Sequence, residues 1–126
     1  MLPSSRAQEE LIQTTYLNAG LDFKDTSYFE AHGTGTAAGD PIECSAIGAT
    51  VSAGRTKDNP LLVGSVKTNI GHMEGASGLA GLIKVVLSLE KGLIPPNLWF
   101  EKANPRIPME KWGIEVMKPQ LSTSYF

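Results

Sequence analysis

The stretch Leu61-Leu62-Val63-Gly64-Ser65-Val66 is a short apolar run in which apolar and polar residues do not alternate. A run of this kind is typical of a strand that is buried on both faces, as in a parallel sheet. We therefore predict a central strand over residues 61–66, followed at its carboxyl end by Lys67-Thr68-Asn69-Ile70-Gly71-His72. The prediction of the fold starts from this strand.

A second stretch, Tyr28-Phe29-Glu30-Ala31-His32-Gly33-Thr34-Gly35-Thr36, has the same layout. Residues 27–32 are predicted to form a strand, which the glycine-rich residues after it end. His32 and His72 are the two histidines of the chain, and each follows a predicted strand. Ligands of open α/β sheets bind at the carboxyl edge of the strands. We therefore expect the two imidazoles to converge in a catalytic site.

One helix is predicted before the first strand and one after it. The earlier one spans residues 6–19, because a capping-box pattern starts at Ser5, apolar residues recur at helical spacing, and Gly20 follows. The later one starts at Asp40-Pro41, where a carboxylate caps the first turn and proline is favoured at the first helical position. It is predicted to end near Gly54.

A third helix is predicted over residues 75–91 and ends at Gly92. Its first residues are small, which favours close packing on neighbouring backbone, and its later apolar residues are expected to be buried. The order helix, strand, helix, strand, helix predicts parallel strands with right-handed crossovers, and hence an α/β layered fold. Two strands make a weak sheet, so further strands are expected from the proline-rich tail after residue 93 or from a partner chain.

Composition limits the protein classes. The 126 residues are enough for one domain over 1–126, and the 41% hydrophobic and 19% charged content is that of a globular protein. A net charge of -2 gives no reason to expect nucleic acid or a membrane surface as a partner. No signal peptide and no apolar run of membrane-spanning length is evident. With its single cysteine, the chain is predicted to be cytoplasmic.

An alternative function comes from Gly33-Thr34-Gly35-Thr36-Ala37-Ala38, which fits the dinucleotide-binding fingerprint between a strand and a helix. That class of protein needs an acidic residue at the end of the second strand to bind the ribose. Here Lys67-Thr68-Asn69 follows that strand, and Asp58 precedes it. A Rossmann-like dinucleotide-binding module stays open as an alternative on these residues alone.

Two further side chains, Lys67 and Cys44, and a possible metal site bear on the chemistry that the sequence predicts. Lys67 lies five residues before His72, and a turn between them would bring the ammonium near the ring and favour neutral imidazole; the alternative is a solvated lysine. Cys44 falls at the fourth position of the second helix, which predicts a small core residue rather than a nucleophile. With two histidines and one cysteine, no zinc or other metal site is predicted.

Taken together, the histidine segments resemble the β-ketoacyl synthase family. The matching segments are Glu30-Ala31-His32-Gly33-Thr34-Gly35-Thr36, Gly39-Asp40-Pro41-Ile42-Glu43, Ser65-Val66-Lys67-Thr68-Asn69-Ile70-Gly71-His72 and Glu74-Gly75-Ala76-Ser77-Gly78. Later residues, Pro96-Asn97, Phe100-Glu101-Lys102 and Asn104-Pro105-Arg106-Ile107, are most similar to ketosynthase domains of fungal iterative, highly reducing polyketide synthases. The resemblance covers nearly the whole chain.

The resemblance implies a thiolase-like fold and decarboxylative Claisen condensation, in which an acyl thioester is extended by a malonyl thioester on an acyl carrier protein. His32 and His72 would bind the thioester carbonyl and stabilise the enolate, and Lys67 would tune and orient His72. Thr34 and Thr36 would contact the phosphopantetheine arm of the carrier protein. The resemblance implies no intrinsic cofactor and no metal.

The sequence also departs from the family. The nucleophile motif of the type Thr-Ala-Cys-Ser-Ser and the closing Gly-Phe-Gly-Gly-Thr-Asn-Ala-His segment are not found, and residues 121–126 are unlike the family. Cys44 stands where relatives usually carry a small residue. We therefore expect an incomplete C-terminal half over 1–126, inactive alone in condensation. Exposed apolar surface is expected to cause association with the N-terminal ketosynthase half or a second protomer. A non-catalytic remnant that acts only as a binding module is the remaining alternative.

Overall fold

The computed structural model describes residues 4–118 and contains a three-stranded parallel sheet. The helices are α1 (Ser5–Ala19), α2 (Gly39–Ala49), α3 (Lys67–Ile70) and α4 (Ser77–Lys91), with 3₁₀ turns at Phe23–Asp25 and Glu74–Ala76. The strands are β1 (Tyr28–Glu30), β2 (Leu61–Gly64) and β3 (Ile114–Val116). The predicted order of helices and strands is confirmed, and the last eight residues, including the unusual segment 121–126, lie outside the described part.

The sheet has the order β1-β2-β3, and both strand pairs are parallel. Phe29 pairs with Val63 in the first pair, and Leu62 pairs with Glu115 in the second. All four residues of β2 are buried, which confirms the predicted central strand. The tail supplies β3, so one of the two predicted sources of further strands is confirmed. The result is the expected α/β layered fold.

One face of the sheet carries a continuous apolar core. Its buried members are Ala31, Ile47, Val51, Leu61, Val63 and Ile114, and residues of α1 pack against them from the outside. Trp112 from the tail lies against Gly48 of α2, where a Cβ atom would approach the ring to 2.8 Å. Cys44 is half-buried beside this core, as predicted. Hydrophobic burial therefore fixes α1, α2 and the tail on one side of the sheet.

Helix α2 is shorter than predicted at its carboxyl end. The sequence predicts an end near Gly54, whereas the helix ends at Ala49. Thr50 leaves the helical conformation, with φ −120° and ψ −94°. Ser52 then donates a hydrogen bond to the Trp112 carbonyl at 2.5 Å. Contacts with the distant tail accompany the end of the helix, and local sequence patterns do not reveal such contacts.

The caps of the first two helices also differ from the prediction. Ser4 rather than Ser5 caps α1, because Ser4 has the extended backbone of a cap and its Oγ accepts the Ala7 N–H at 3.3 Å. Asp40 lies inside the first turn of α2, and its carboxylate accepts the Gly35 N–H at 3.1 Å. Asp40 thus holds the preceding loop instead of capping the helix.

Helix α4 buries polar and small residues and exposes its bulky apolar ones. The residues of its buried face are Ser77, Gly81, Lys84 and Ser88. Its bulky apolar residues are 46–61% exposed: Leu79, Leu82, Ile83, Val86, Leu87 and Leu89. The expectation that the later part of this helix is buried is therefore wrong for this chain, because its inner face meets polar side chains of β1. Among residues 4–118, no helix is long and apolar enough to span a bilayer.

Candidate active site

The two histidines lie in contact beyond the carboxyl ends of β1 and β2. The ring centroids of His32 and His72 are 5.3 Å apart, and the ring planes are nearly perpendicular at 89°. Both residues are exposed to solvent. The predicted convergence of the two imidazoles is confirmed, because parallel neighbouring strands end at the same edge of the sheet.

The backbone of His32 is held by Glu43 of α2. The two carboxylate oxygens of Glu43 accept the N–H groups of His32 at 2.6 Å and Gly33 at 2.9 Å. From the other side, the Ser65 hydroxyl donates to the His32 carbonyl at 3.2 Å. Gly33 has φ +50°, and a Cβ atom there would lie 2.7 Å from the Cβ of Ser65. Only glycine therefore fits this close approach of the two strand ends.

The ring of His72 is oriented by the residues that follow it at the start of α4. Its Nδ1 accepts the Glu74 N–H at 2.9 Å and lies 2.9 Å from the Ser77 hydroxyl. Because a backbone N–H can only donate, Nδ1 carries a lone pair, and a neutral His72 ring has its proton on Nε2. Glu74 adopts φ +47°, a conformation that non-glycine residues rarely use. The segment thus presents a ring N–H donor at Nε2.

Lys67 lies at the start of α3, on the same side as His32. Both residues line a cavity of about 370 Å³ together with Ser77, Gly78 and Gly81 of α4. The partners of His72 Nδ1 are Glu74 and Ser77 rather than the lysine ammonium. Lys67 therefore lines the same cavity as His32 but donates no hydrogen bond to Nδ1 of His72.

Thr34 and Thr36 line a second cavity next to His32. This cavity has a volume of about 530 Å³, and Leu11, Phe29 and Ile47 form part of its apolar wall. The Thr36 hydroxyl oxygen accepts the Gly39 N–H at 3.0 Å, which leaves its O–H group able to donate. A polar, extended ligand arm would find hydroxyl groups here beside an apolar wall.

The single cysteine has the wrong chemistry for a nucleophile. Burial, followed by the negative charges of Glu43 and Asp40, raises the pKa of the Cys44 thiol from 9.0 to about 12. A thiol with this pKa is protonated near neutral pH, whereas catalysis requires the thiolate. This result supports the prediction that Cys44 is a small packing residue.

Several supporting residues escaped the sequence prediction. Glu43 belongs to a segment that the resemblance includes, but nothing in its spacing points to the backbone of His32. The sequence predicts Ser77 only as a small residue at a helix start. Lys84 interrupts an apolar run, which is a detectable signal of a special environment. Within residues 4–118, no group of three or more histidine, cysteine or acidic side chains is placed to hold a metal ion.

Comparison with known proteins gives the family. Residues 1–101 match the family model for the β-ketoacyl synthase C-terminal domain. The chain is 60% identical over 115 residues to the highly reducing polyketide synthase Preu1 of Preussia isomera, which is 91% of this chain and 5% of that protein. It is also 60% identical over 121 residues to the hybrid PKS-NRPS synthetase pynA of Aspergillus niger, which is 96% of this chain and 3% of that protein.

Solved structures agree with the sequence relatives. The ketosynthase from module 1 of the bacillaene synthase from Bacillus amyloliquefaciens FZB42 is similar with a TM-score of 0.89 and 38% identity, over 98% of this chain and 22% of that one. The oxazolomycin ketosynthase domain OzmH KS7 of Streptomyces albus JA3453 gives a TM-score of 0.85 and 36% identity, over 93% of this chain and 21% of that one. These neighbours confirm the thiolase-like fold, of which this chain spans about a fifth. The chain therefore belongs to the β-ketoacyl synthase family, as a C-terminal ketosynthase portion of the fungal reducing polyketide synthase type.

Proposed function

We propose that this chain supplies the two histidines that stabilise the enolate in decarboxylative Claisen condensation during polyketide biosynthesis. The observation that carries the proposal is the 5.3 Å separation of the His32 and His72 rings. The substrate is a malonyl thioester on an acyl carrier protein, and the acceptor is an acyl thioester. In decarboxylation, the bond between the carboxylate and the α-carbon breaks as CO₂ leaves. Its electron pair forms the C=C bond of the enolate, and the π pair of the thioester carbonyl moves onto the oxygen.

The histidines suit this chemistry because the negative charge develops on one oxygen. Two N–H donors directed at that oxygen stabilise it most when they are fixed before the reaction. His72 offers Nε2–H, because its Nδ1 already accepts the Glu74 N–H. We propose that His32 supplies the second donor, and that Lys67, which lines the same cavity as His32, helps to orient His72.

The phosphopantetheine arm of the carrier protein would bind beside His32. Thr34 and Thr36 line the cavity there, and hydroxyl groups are able to donate to the amides of the arm. In this proposal the carrier protein is the substrate-bearing partner. The phosphopantetheine is covalently part of that substrate, so this chain needs no cofactor of its own for the proposed step.

Acyl transfer needs a thiolate that these 126 residues do not offer. Cys44 is the single cysteine, and its pKa of about 12 keeps the thiol protonated. We propose that the nucleophile comes from another part of a ketosynthase domain, and that this chain alone does not condense. The apolar outer face of α4 supports association with such a part or with a second protomer. The cytoplasmic location stays a prediction.

The dinucleotide alternative is weakened by the hydrogen bonds of the glycine-rich loop. A pyrophosphate needs free backbone N–H groups at such a turn. Here the N–H groups of His32 and Gly33 donate to Glu43, and that of Gly35 donates to Asp40. The carboxylates of Glu43 and Asp40 already accept the N–H groups that a pyrophosphate would need. Binding of NADPH by the chain at micromolar concentration would overturn the ketosynthase proposal.

The test replaces the matching 22% of the bacillaene module 1 ketosynthase with this chain. We expect the chimaera to release CO₂ from malonyl-pantetheine, and His32→Ala and His72→Ala to abolish that release. Gln13→Ala, on the exposed side of α1, is the control and should keep the rate. An active chimaera whose rate survives His72→Ala would contradict the proposed role. A chimaera that folds and is inactive would favour the non-catalytic remnant.

A further inference from the structure

A buried ion pair lies between β1 and α4. Lys84 Nζ is 2.6 Å from Glu30 Oε2, and the two side chains are only 7% and 13% exposed. The Tyr28 hydroxyl donates to the same carboxylate oxygen at 2.5 Å, and the ammonium also donates to the Tyr28 oxygen. Burial, then the hydrogen bond and charge of Glu30, raises the pKa of Tyr28 far above its usual value, so the phenol stays a donor.

The second oxygen of Glu30 reaches the turn between β2 and α3. Glu30 Oε1 accepts the Val66 N–H at 2.6 Å. Glu30 lies two residues before His32, and Val66 lies directly before α3, which leads to His72. One carboxylate therefore joins the strand end that carries the first histidine to the turn that leads to the second.

Helix α4 completes the connection. Ser77, its first residue, contacts His72 Nδ1, and Lys84 lies seven residues later, two turns along the same face. Between them, a Cβ atom on Gly81 would lie 3.2 Å from the Cγ of Glu30. A single helix thus contacts the ring of His72 at one end and the carboxylate that precedes His32 in its middle.

We infer that Glu30 and Lys84 are positioning residues that set the relative placement of the His32 and His72 rings. The inference rests on the proposed function for its catalytic consequence. A buried ion pair adds little net stability, because desolvation offsets the attraction between the charges. Its three connections, to β1, to the β2–α3 turn and to α4, instead restrain the elements that carry both histidines. Misplacement of reacting groups by 1 Å costs about a hundredfold in rate.

The first test measures ring placement in the 126-residue chain by NMR. In the unchanged chain, we expect cross-peaks between the ring protons of His32 and His72. Glu30→Gln and Lys84→Met should weaken or remove them, because each variant breaks one connection of the network. The matched controls are Glu90→Gln and Lys91→Met, which make the same changes at exposed positions of α4. The controls should leave the cross-peaks unchanged.

The second test measures malonyl-pantetheine decarboxylation in the chimaera. Each single variant should lower kcat by about tenfold or more with KM nearly constant, because placement rather than binding is changed. The double variant Glu30→Gln with Lys84→Met removes both charges, and we expect its thermal stability to recover toward that of the unchanged protein. Its kcat should stay low, because the link from β1 to α4 is still missing.

Two results would overturn the inference. One is an unchanged set of ring cross-peaks together with an unchanged kcat in Glu30→Gln. The other is full recovery of kcat in the double variant, which would mean that the single variants fail only because they leave an unpaired buried charge. An inactive chimaera with the unchanged sequence would count against the proposed function alone, because the NMR measurement on the chain still decides the positioning role.

Discussion

The sheet face toward α1 and α2 is lined by buried aliphatic side chains, whereas the face toward α4 holds a lysine, a glutamate and a tyrosine hydroxyl beside a smaller apolar cluster. The first face is a hydrophobic core in the usual sense, and its apolar residues point inward. On the second face, the helix turns its polar residues inward and its apolar residues outward. With the positioning role inferred above, the first face supplies the larger apolar core, and the second face, besides a smaller apolar cluster, positions the histidines.

The largest expected effect concerns the thiol at the edge of the apolar face. The pKa of Cys44 rises from 9.0 to about 12, so its thiolate fraction near neutral pH falls about a thousandfold, tenfold per unit. Alkylation by iodoacetamide should therefore be slow in the folded chain and fast in urea. Above pH 9 the unfolded thiol loses its proton while the folded one keeps it, so stability should fall with rising pH through this group. Equal alkylation rates in the folded and unfolded chain would contradict the protected environment.

The next prediction compares the two faces by deletion of side chains. Ile47→Ala empties a fully buried position of the apolar core and should lower the free energy of unfolding by about 2–5 kcal/mol. Leu87→Ala, on the outer side of α4, should change it by less than about 0.5 kcal/mol. Urea unfolding of both variants measures the difference. A similar loss in both would mean that the outer face of α4 is covered in solution, for example by a second copy of the chain.

A smaller effect is expected where the apolar side meets the site. Glu43→Gln leaves one acceptor for two N–H groups and removes the charge, which should cost about 1.5–3 kcal/mol. The exposed control Glu110→Gln should have little effect on urea unfolding. The Glu43 variant should also weaken the ring cross-peaks between His32 and His72. Intact cross-peaks in a destabilised Glu43→Gln would assign the carboxylate to folding alone.

The smallest effect is expected in the tail, where Trp99 is 89% exposed and has φ +59°. Trp99→Asn should raise the free energy of unfolding by about 1 kcal/mol, because asparagine tolerates the left-handed conformation better. Trp99→Ala removes the same ring without relieving the strained left-handed backbone, so it should not raise the free energy of unfolding. A larger gain from alanine than from asparagine would show that the exposed ring, rather than its backbone, is unfavourable.

The elements that the sequence predicts well are those whose signals are local. The apolar run of β2, the helical spacing of α1 and the glycine after α4 all lie within a few residues of the element they define. Errors occur where a distant partner intervenes. Helix α2 ends early beside Trp112, and α4 turns its charged face inward because Glu30 lies opposite.

The same contrast between local signals and distant contacts applies to the candidate site. The convergence of His32 and His72 could be predicted, because it depends only on parallel strands and on where each strand ends. Their supports could not, since Glu43 is eleven residues from His32 and Lys84 is more than fifty residues from Glu30. No short-range pattern specifies which carboxylate meets which N–H group.

The sequence alone determined the family resemblance, the α/β class and the meeting of the two histidines at one sheet edge, since these depend on motifs and on the order of elements. Only the tertiary structure decided what holds the His32 backbone and the His72 ring, which nitrogen of a neutral His72 ring carries the proton, and which face of α4 is buried. The physical reason is that hydrogen bonds and ion pairs act over a few ångströms in space, between residues whose separation along the chain is unrelated to that distance.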